Sequence, residues 1–201
     1  MSGVAAQPEV LLVATTNPGK LREIQGILAG IPVRLLTLRD VAAVEEPEET
    51  GATFAENARL KALYYAAHAG LPTVADDSGL EIEALDNAPG VHSARWHGTD
   101  YTLKFRKIHE LLRARGLETS PAQFVCRVAL AHEGRIVFEA GGVVRGHIAA
   151  EARGSHGFGY DPLFFYPPFG CTLAELDVER KASVSHRGAA FRALREYLER
   201  R

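Results

Sequence analysis

Two adjacent carboxylates, Asp76 and Asp77, are the residues of this chain whose type and spacing best suit chemistry. They follow a short apolar stretch that predicts a strand, and Ser78-Gly79 comes directly after them. We therefore expect an acidic turn that interrupts extended structure. Neighbouring side chains on an extended backbone point in opposite directions, so at most one acid should face a ligand directly. The alternative is a turn that the Asp and Ser side chains merely cap.

Carboxylate oxygens at the end of a strand suit a magnesium ion. Proteins of the α/β class tend to place their sites at strand ends, and Mg²⁺ is usually shared between one or two carboxylates and substrate phosphates. A free carboxylate there could also take a proton from an attacking water molecule. An acidic run, Glu45-Glu46 and Glu48-Glu49, could complete the metal site together with Asp77, although such runs are usually solvated surface.

Two lysines, Lys20 and Lys61, are candidates for binding a phosphate chain. Lys20 lies in the first turn of a helix that Asn17 should cap and Pro18 should begin. Because the N-terminus of a helix is already positive, a lysine there is unfavourable unless an anion such as phosphate binds. A solvated lysine on an ordinary loop is the alternative. Lys61 shares one face of a second predicted helix with Asn57, and it either faces phosphate or extends to the surface.

Two later segments offer groups for a nucleotide base. The first, Gly154 to Asp161, combines glycines with a phenylalanine and a tyrosine, so its backbone could approach a ligand closely while a ring stacks on a base. The second carries Lys181, His186 and Arg187 just before the last predicted helix. The alternatives are a tight loop with buried rings and an ordinary helix cap with surface charges.

The composition limits the remaining classes. A hydrophobic fraction of 46% and a charged fraction of 24% over 201 residues indicate one folded domain, residues 1–201. A formal net charge of −2 gives no general attraction for nucleic acid or an acidic membrane, so we expect neither as a partner. Residues Met1 to Pro8 do not resemble a signal peptide, and no apolar stretch approaches the roughly 20 residues that span a bilayer. We therefore expect a cytoplasmic protein.

The elements that must position these residues alternate between helices and strands. Apolar residues recur at helical spacing after Pro18. The capping-box pair Thr53/Glu56 marks the start of a second helix, and Gly70 with Pro72 marks its end. Alternating patterns predict a hairpin around Glu133-Gly134 and a further strand over residues 143–149. A helix should begin at the Thr172/Glu175 pair, and one more should follow it. This interleaving predicts an α/β fold on a mixed β-sheet flanked by helices.

Six motifs in chain order resemble those of the inosine/xanthosine triphosphate pyrophosphatase family, the Ham1-like enzymes. They are Thr15-Thr16-Asn17-Pro18-Gly19-Lys20, Glu48-Glu49-Thr50-Gly51 with Phe54-Ala55-Glu56-Asn57-Ala58, Ala75-Asp76-Asp77-Ser78-Gly79-Leu80, Ala88-Pro89-Gly90 with Ser93-Ala94-Arg95, Gly157-Phe158-Gly159-Tyr160-Asp161-Pro162, and Ser185-His186-Arg187-Gly188. The match covers essentially the whole chain and is far more specific than a lone glycine loop. The sequence departs from the family pattern twice: Thr16 stands where glycine is usual, and Ala182 follows Lys181 where asparagine is common.

The resemblance implies an elongated fold with two lobes and a central active-site cleft, a homodimer, and Mg²⁺-dependent hydrolysis of ITP, dITP and XTP. The products are the monophosphate and pyrophosphate, and the role is cleansing of the nucleotide pool. By the same resemblance Asp77 is the proton acceptor and a metal ligand, and Glu48 is the second candidate ligand. The residues that should contact the nucleotide are Thr15, Thr16, Asn17, Pro18, Gly19, Lys20, Ser78, Phe158, Gly159, Tyr160, Asp161, Lys181, His186 and Arg187.

For the mechanism, we expect Lys20 and Lys61 to neutralise charge while Asp77 orients or deprotonates the attacking water. Selection of a 6-oxo purine needs hydrogen-bond donors aimed at O6, and His186, Arg187 and backbone N–H groups are the candidates. The alternatives are a related pyrophosphatase for modified pyrimidines or ordinary triphosphates, and a nucleotide sensor without turnover. A metal-poised base argues against mere sensing.

Overall fold

The computed structural model describes residues 10–200, and within that range the chain forms seven β-strands and five α-helices. The stretch Met1 to Pro8, on which the signal-peptide expectation rests, lies outside the described residues. The strands are β1 (Val10–Val13), β2 (Arg34–Thr37), β3 (Thr73–Ile82), β4 (Pro121–His132), β5 (Arg135–Ile148), β6 (Phe164–Tyr166) and β7 (Cys171–Thr172). The helices are α1 (Pro18–Ile27), α2 (Phe54–Ala69), α3 (Tyr101–Ala114), α4 (Val178–Val184) and α5 (His186–Glu199).

The strands form one mixed sheet in the order β2-β1-β3-β4-β5-β6-β7. β1 runs parallel to β2 and β3, with Leu12 opposite Leu36 and Thr73. β5, β6 and β7 pair antiparallel. The turn between β4 and β5 places both Glu133 and Gly134 at positive φ, as a tight hairpin requires. The predicted α/β fold on a mixed sheet is therefore confirmed.

Local capping signals predicted the helix ends well. The Asn17 side chain accepts hydrogen bonds from Gly19 N at 2.8 Å and Lys20 N at 3.1 Å, and Pro18 is the first residue of α1. Thr53 and Glu56 form the complete capping box of α2. These contacts satisfy backbone N–H groups that the first turn of a helix leaves without partners.

Three predicted boundaries are wrong. The Asp76-Asp77-Ser78-Gly79 segment is not a turn, because β3 runs through it without interruption. The strand predicted over 143–149 is the second half of β5, which continues through Gly141; a Cβ there would collide with the guanidinium of Arg127, so glycine permits a close approach without ending the strand. The Thr172/Glu175 capping box opens only a short 3-10 turn, since Leu176 is extended and α4 begins after its own cap, Asp177.

The chain packs as two compact units. Unit 1 comprises the described residues up to Asp77, Cys126–Gly142, and those from Arg187 onward; unit 2 comprises Ser78–Val125 and Val143–His186. In unit 1, one apolar cluster surrounds Phe191 and an alanine-rich cluster lies under α2. In unit 2, a single cluster packs around Phe164. None of the helices formed by residues 10–200 is long and apolar enough to cross a membrane.

Candidate active site

Asp76 lies at the centre of a buried ion cluster in unit 1. Its carboxylate is 3.0 Å from Lys20 Nζ and 3.5 Å from Arg187 Nε, and the Cys126 thiol approaches it at 3.8 Å. Burial by itself would raise the pKa of Asp76, but Lys20 and Arg187 outweigh it and hold that pKa well below its usual range. Asp76 therefore stays ionised and fixes two cations.

Asp77 faces a different set of partners. Its Oδ1 is 3.2 Å from Lys61 Nζ, and its Oδ2 accepts a hydrogen bond from Asn57 Nδ2 at 3.1 Å. The adjacent acids thus use separate partners, as expected for neighbours on an extended strand. Burial raises the pKa of Asp77, and the attraction of Lys61 only partly offsets that effect. A carboxylate with a raised pKa is a stronger proton acceptor than an exposed one.

Lys61 joins Asp77 to the acidic run that precedes α2. Its Nζ is 2.6 Å from Glu49 Oε1, and its side chain is buried. Burial lowers the pKa of Lys61, but Asp77, Asp76 and Glu49 together raise it above its usual value. Glu48, the predicted second metal ligand, is exposed. The structure therefore brings Glu49, and not Glu48, beside Lys61.

Asn57 is a residue of this cluster to which the sequence analysis assigned no role. Its side chain has no exposed surface. The amide oxygen accepts from Gly51 N at 2.8 Å while the amide nitrogen donates to Asp77. A Cβ on Gly51 would lie 2.6 Å from that amide oxygen, so glycine permits this approach. Asn57 ties the turn after Glu49 to Asp77, and its position four residues before Lys61 on one helix face was the available signal.

Arg187, at the start of α5, completes the cluster. Its Nη1 is 2.7 Å from Glu23 Oε2, and Arg187 is 2% exposed. Burial lowers the pKa of Arg187, but Asp76 and Glu23 raise it further above its usual value. The paired side chains are three cations and four carboxylates, a net charge of −1: Lys20, Lys61, Arg187, Glu23, Glu49, Asp76 and Asp77.

The predicted phosphate loop, Thr15 to Lys20, contributes Lys20 to this cluster. Thr15 Oγ1 accepts from Asn17 N at 3.2 Å, and Thr16 Oγ1 is 3.5 Å from Glu46 Oε1. Thr16, Asn17 and Pro18 are exposed, whereas Gly19 is buried. Thr16 is not among the residues with positive φ, so the loop does not require glycine at this position.

A divalent cation fits the acidic part of the cluster. Asp77 and Glu49 both lie within 3.2 Å of one ammonium group, so two carboxylates converge on one point of unit 1. Residues 10–200 contain no group of three or more His, Cys, Asp or Glu side chains arranged as a metal site. Mg²⁺ suits such a donor set, because it commonly takes one or two carboxylates and fills its shell with waters and phosphate oxygens.

Unit 2 holds the second predicted group, centred on Asp161. This buried carboxylate pairs with Lys181 Nζ and accepts from Phe158 N at 2.8 Å. Lys181 Nζ also lies 4.8 Å from the centre of the Phe158 ring. Gly157 has φ +74°, and a Cβ there would collide with the Asp161 carboxylate. The structure thus brings three predicted residues together around a glycine that must lack a side chain.

Three further predicted residues lie elsewhere in unit 2. His186 is buried and stacks on Phe124, with 4.8 Å between ring centres and 12° between planes. Tyr160 is buried and donates through its hydroxyl to Ser93 O at 3.0 Å. Ser78 is half-buried on β3. Ala182, the second departure from the family pattern, lies within α4.

Comparison with known proteins places the chain in a family. Residues 11–197 match the model of the Ham1 family. The chain is 46% identical over 190 residues to a dITP/XTP pyrophosphatase of Geobacter sulfurreducens, covering 94% of this chain and 96% of the relative. It is 49% identical over 188 residues to a dITP/XTP pyrophosphatase of Thermus thermophilus, covering 92% of this chain and 90% of the relative.

Solved structures agree with the sequence comparisons. The fold matches a HAM1 protein from Coxiella burnetii with a TM-score of 0.88 and 39% sequence identity, covering 96% of this chain and 99% of the other. It matches the Ham1 protein of Staphylococcus aureus with a TM-score of 0.83 and 34% identity, covering 94% and 98%. With its fold and nearly its whole length shared, the chain belongs to the Ham1 family.

Proposed function

We propose that this protein hydrolyses the non-canonical purine nucleoside triphosphates dITP, ITP and XTP to the monophosphate and pyrophosphate, with Mg²⁺ as cofactor. Its role is to keep abnormal purines out of the nucleotide pool. The observation that carries the proposal is the buried cluster around Asp76 and Asp77, in which cations for a polyphosphate stand beside a carboxylate with a raised pKa. Relatives named dITP/XTP pyrophosphatase support the choice of substrate.

In the proposed reaction, Asp77 accepts a proton from water as the water oxygen attacks the α-phosphorus. The new bond joins that oxygen to the α-phosphorus. The bond from the α-phosphorus to the bridging oxygen breaks, and pyrophosphate leaves with the electron pair. Lys20 and Lys61 turn from carboxylates toward phosphate oxygens and balance the charge that develops on them. Asn57 orients Asp77 by holding its Oδ2, so the carboxylate needs no reorganisation before it accepts the proton.

We propose Asp77 and a glutamate of the acidic run as the ligands that hold Mg²⁺. The sequence favoured Glu48, and the contact between Glu49 and Lys61 favours Glu49. When bound, the ion supplies Lewis-acid polarisation of the phosphate oxygens. E49Q and E48Q, compared at several Mg²⁺ concentrations, distinguish the two: the true ligand is the one whose loss raises the concentration needed for half-maximal rate.

For recognition of the purine we propose Ser78, Phe158 to Asp161, Lys181 and His186, which belong to unit 2, and Arg187, which belongs to unit 1. Backbone N–H groups, His186 and Arg187 supply donors for the O6 atom of a 6-oxo purine, and these donors would be left unpaired by the amino group of adenine. If H186A and R187A leave the preference for ITP over ATP unchanged, discrimination lies with other donors.

We further propose that the protein acts as a cytoplasmic homodimer. Sedimentation equilibrium tests the oligomeric state, and cell fractionation tests the compartment.

The decisive experiment measures pyrophosphate release across a nucleotide panel with and without Mg²⁺. The panel contains dITP, ITP, XTP, ATP, GTP, dUTP and a modified pyrimidine triphosphate. We expect release from the first three nucleotides and only in the presence of Mg²⁺. In ¹⁸O-labelled water the label should appear in the monophosphate, since water attacks the α-phosphorus. Preference for a pyrimidine or for ATP would favour a related pyrophosphatase, and retention of intact dITP by Mg²⁺-loaded protein would favour a sensor.

A further inference from the structure

Lys104 of α3 is a fully buried lysine that two backbone oxygens and two aromatic rings surround. Its side chain has no exposed surface. Its Nζ donates to the backbone oxygens of Ser93 at 3.1 Å and Ala94 at 2.7 Å. It lies 4.3 Å from the centre of the Tyr101 ring and 5.6 Å from the centre of the Tyr160 ring. No carboxylate within residues 10–200 pairs with it, in contrast to the buried lysines Lys61 and Lys181.

Burial of such a lysine opposes folding. Moving an ammonium group out of water is unfavourable unless hydrogen bonds and opposite charge compensate, and burial lowers the pKa of Lys104. Two carbonyl dipoles and an aromatic face offset part of that cost. A methionine of similar length would fill the same space without a charge. The contacts of the ammonium group therefore determine its role.

Those contacts converge on one backbone oxygen. Ser93 O accepts from both Lys104 Nζ and the Tyr160 hydroxyl. The Ser93 hydroxyl in turn accepts from Leu80 N at 2.9 Å and donates to Gly90 O at 2.6 Å. The Ser93-Ala94 turn thus links α3, the part of β3 that follows Ser78, and Tyr160. This turn belongs to a family motif for which the proposed reaction gives no role.

The ring of Tyr101, which lies beside Lys104, contacts the glycine-aromatic segment that contains Gly159 and Tyr160. The Tyr101 ring meets the Tyr160 ring edge-on, with 5.2 Å between centres and 82° between planes. A Cβ on Gly159 would lie 3.5 Å from the Tyr101 hydroxyl, and Gly159 has φ +67°. The Gly159-Tyr160 backbone therefore rests directly against the tyrosine that Lys104 covers. Lys104, the Ser93-Ala94 turn and the Gly159-Tyr160 backbone therefore pack together within unit 2.

We propose that Lys104 is a positioning residue for nucleotide binding, whose ammonium fixes Ser93 O and through it Tyr160 and the Phe158–Asp161 segment. The inference rests on the proposed function to the extent that this segment contacts the purine. Lys104 itself touches no substrate. Its loss should therefore weaken binding of the nucleotide while the chemical step at Asp77 continues.

The test compares K104M with K107M, using steady-state kinetics on dITP. Lys107 lies on the same helix, is partly exposed and pairs with Glu110 at 3.3 Å, so K107M is a matched control. Loss of two charge-assisted hydrogen bonds should raise KM about tenfold, with kcat changed by no more than about twofold. K104Q, which keeps amide donors, should recover part of the loss and also provides a variant if K104M does not fold.

Two measurements separate this proposal from a merely structural role and from failure of the proposed function. In the double-mutant cycle K104M, Y160F and K104M/Y160F, the two effects on KM should be less than additive because both groups bind Ser93 O. A lower urea midpoint with unchanged KM would overturn the proposal. If the wild type releases no pyrophosphate, the proposed function fails, and dITP affinity by calorimetry then decides on Lys104 alone: equal dissociation constants for wild type and K104M refute its role.

Discussion

Two of the buried lysines, Lys61 in unit 1 and Lys104 in unit 2, have opposite kinds of partner. Lys61 contacts two carboxylates, and their charges raise its pKa despite burial. Lys104 contacts two backbone carbonyls and two aromatic rings, and burial lowers its pKa. A phosphate oxygen can replace a carboxylate as partner of an ammonium with little rearrangement, whereas the carbonyls cannot be released without reshaping their turn. The comparison separates a cation placed for a ligand from a cation that holds structure.

The largest effect should come from D77N. The amide keeps the size of the side chain but cannot accept the water proton, so we expect kcat for dITP to fall about 10²- to 10⁴-fold. The fold should persist, because Lys61 retains Glu49 as partner. D86N is the control, since the Asp86 side chain is 86% exposed and pairs with Arg115. Near-normal turnover in D77N would remove Asp77 from the proton-accepting role.

D76N should chiefly affect stability. Lys20 and Arg187 would lose a buried carboxylate, and removing one partner of a buried pair costs about 3–5 kcal/mol at neutral pH. Because the pKa of Asp76 in the folded state lies below its unfolded value of 3.8, this stabilisation is present above about pH 4 and is lost as the pH falls further. Urea unfolding of both proteins at pH 7 and pH 3 measures the difference, which should shrink at the lower pH.

Asp77, the next residue of β3, should have the opposite effect on the free energy of unfolding. Its pKa is raised by burial, so its ionised form destabilises the folded protein above the unfolded pKa. Without metal, D77N should therefore be at least as stable as wild type at pH 7. A D76N protein as stable as wild type at pH 7, or a D77N protein much less stable, would contradict the distinction between the two acids.

A smaller effect is expected for N57A. The variant frees both Asp77 Oδ2 and Gly51 N from a buried amide, so the carboxylate and the turn after Glu49 lose their common support. Residues that orient metal ligands typically contribute 10- to 100-fold to metal affinity or activity, and we expect the Mg²⁺ concentration for half-maximal rate to rise by about that factor. Direct Mn²⁺ binding provides a readout without turnover. Q25A, which removes an exposed amide on α1, should change neither quantity.

The sequence predicted those features that depend on neighbouring residues. Asn17 and the Thr53/Glu56 box were correctly read because a cap needs only side chains within one turn. The acidic segment was predicted as a turn because Asp, Ser and Gly are typical turn residues. Lys20 and Arg187, far away in the chain, stabilise Asp76 there. Propensity is overridden when distant partners compensate a buried charge.

Side-chain direction was the other limit. The spacing in the acidic run did not distinguish Glu48 from Glu49, since the turn is oriented by the contact between Asn57 and Gly51. Lys104 could have been found, because it lies four residues before Ile108 on the apolar face of α3. A lysine on an otherwise apolar helix face is thus a signal to follow. Its hydrogen-bond partners could not be predicted, because every residue type carries a backbone oxygen.

The smallest effect concerns the two thiols, which report on the units separately. Cys126 is fully buried in unit 1 beside Asp76, whereas Cys171 in unit 2 is half-buried. Burial, and to a lesser degree the Asp76 charge, raises the pKa of the Cys126 thiol, and the thiolate is the reactive form. In native protein a disulfide reagent such as DTNB should therefore modify Cys171 first, and C171S should react only on unfolding. At urea concentrations that give D76N and wild type the same free energy of unfolding, D76N should modestly accelerate modification of Cys126. Unchanged or slower modification under these matched conditions would show that the Asp76 charge does not govern the reactivity of that thiol.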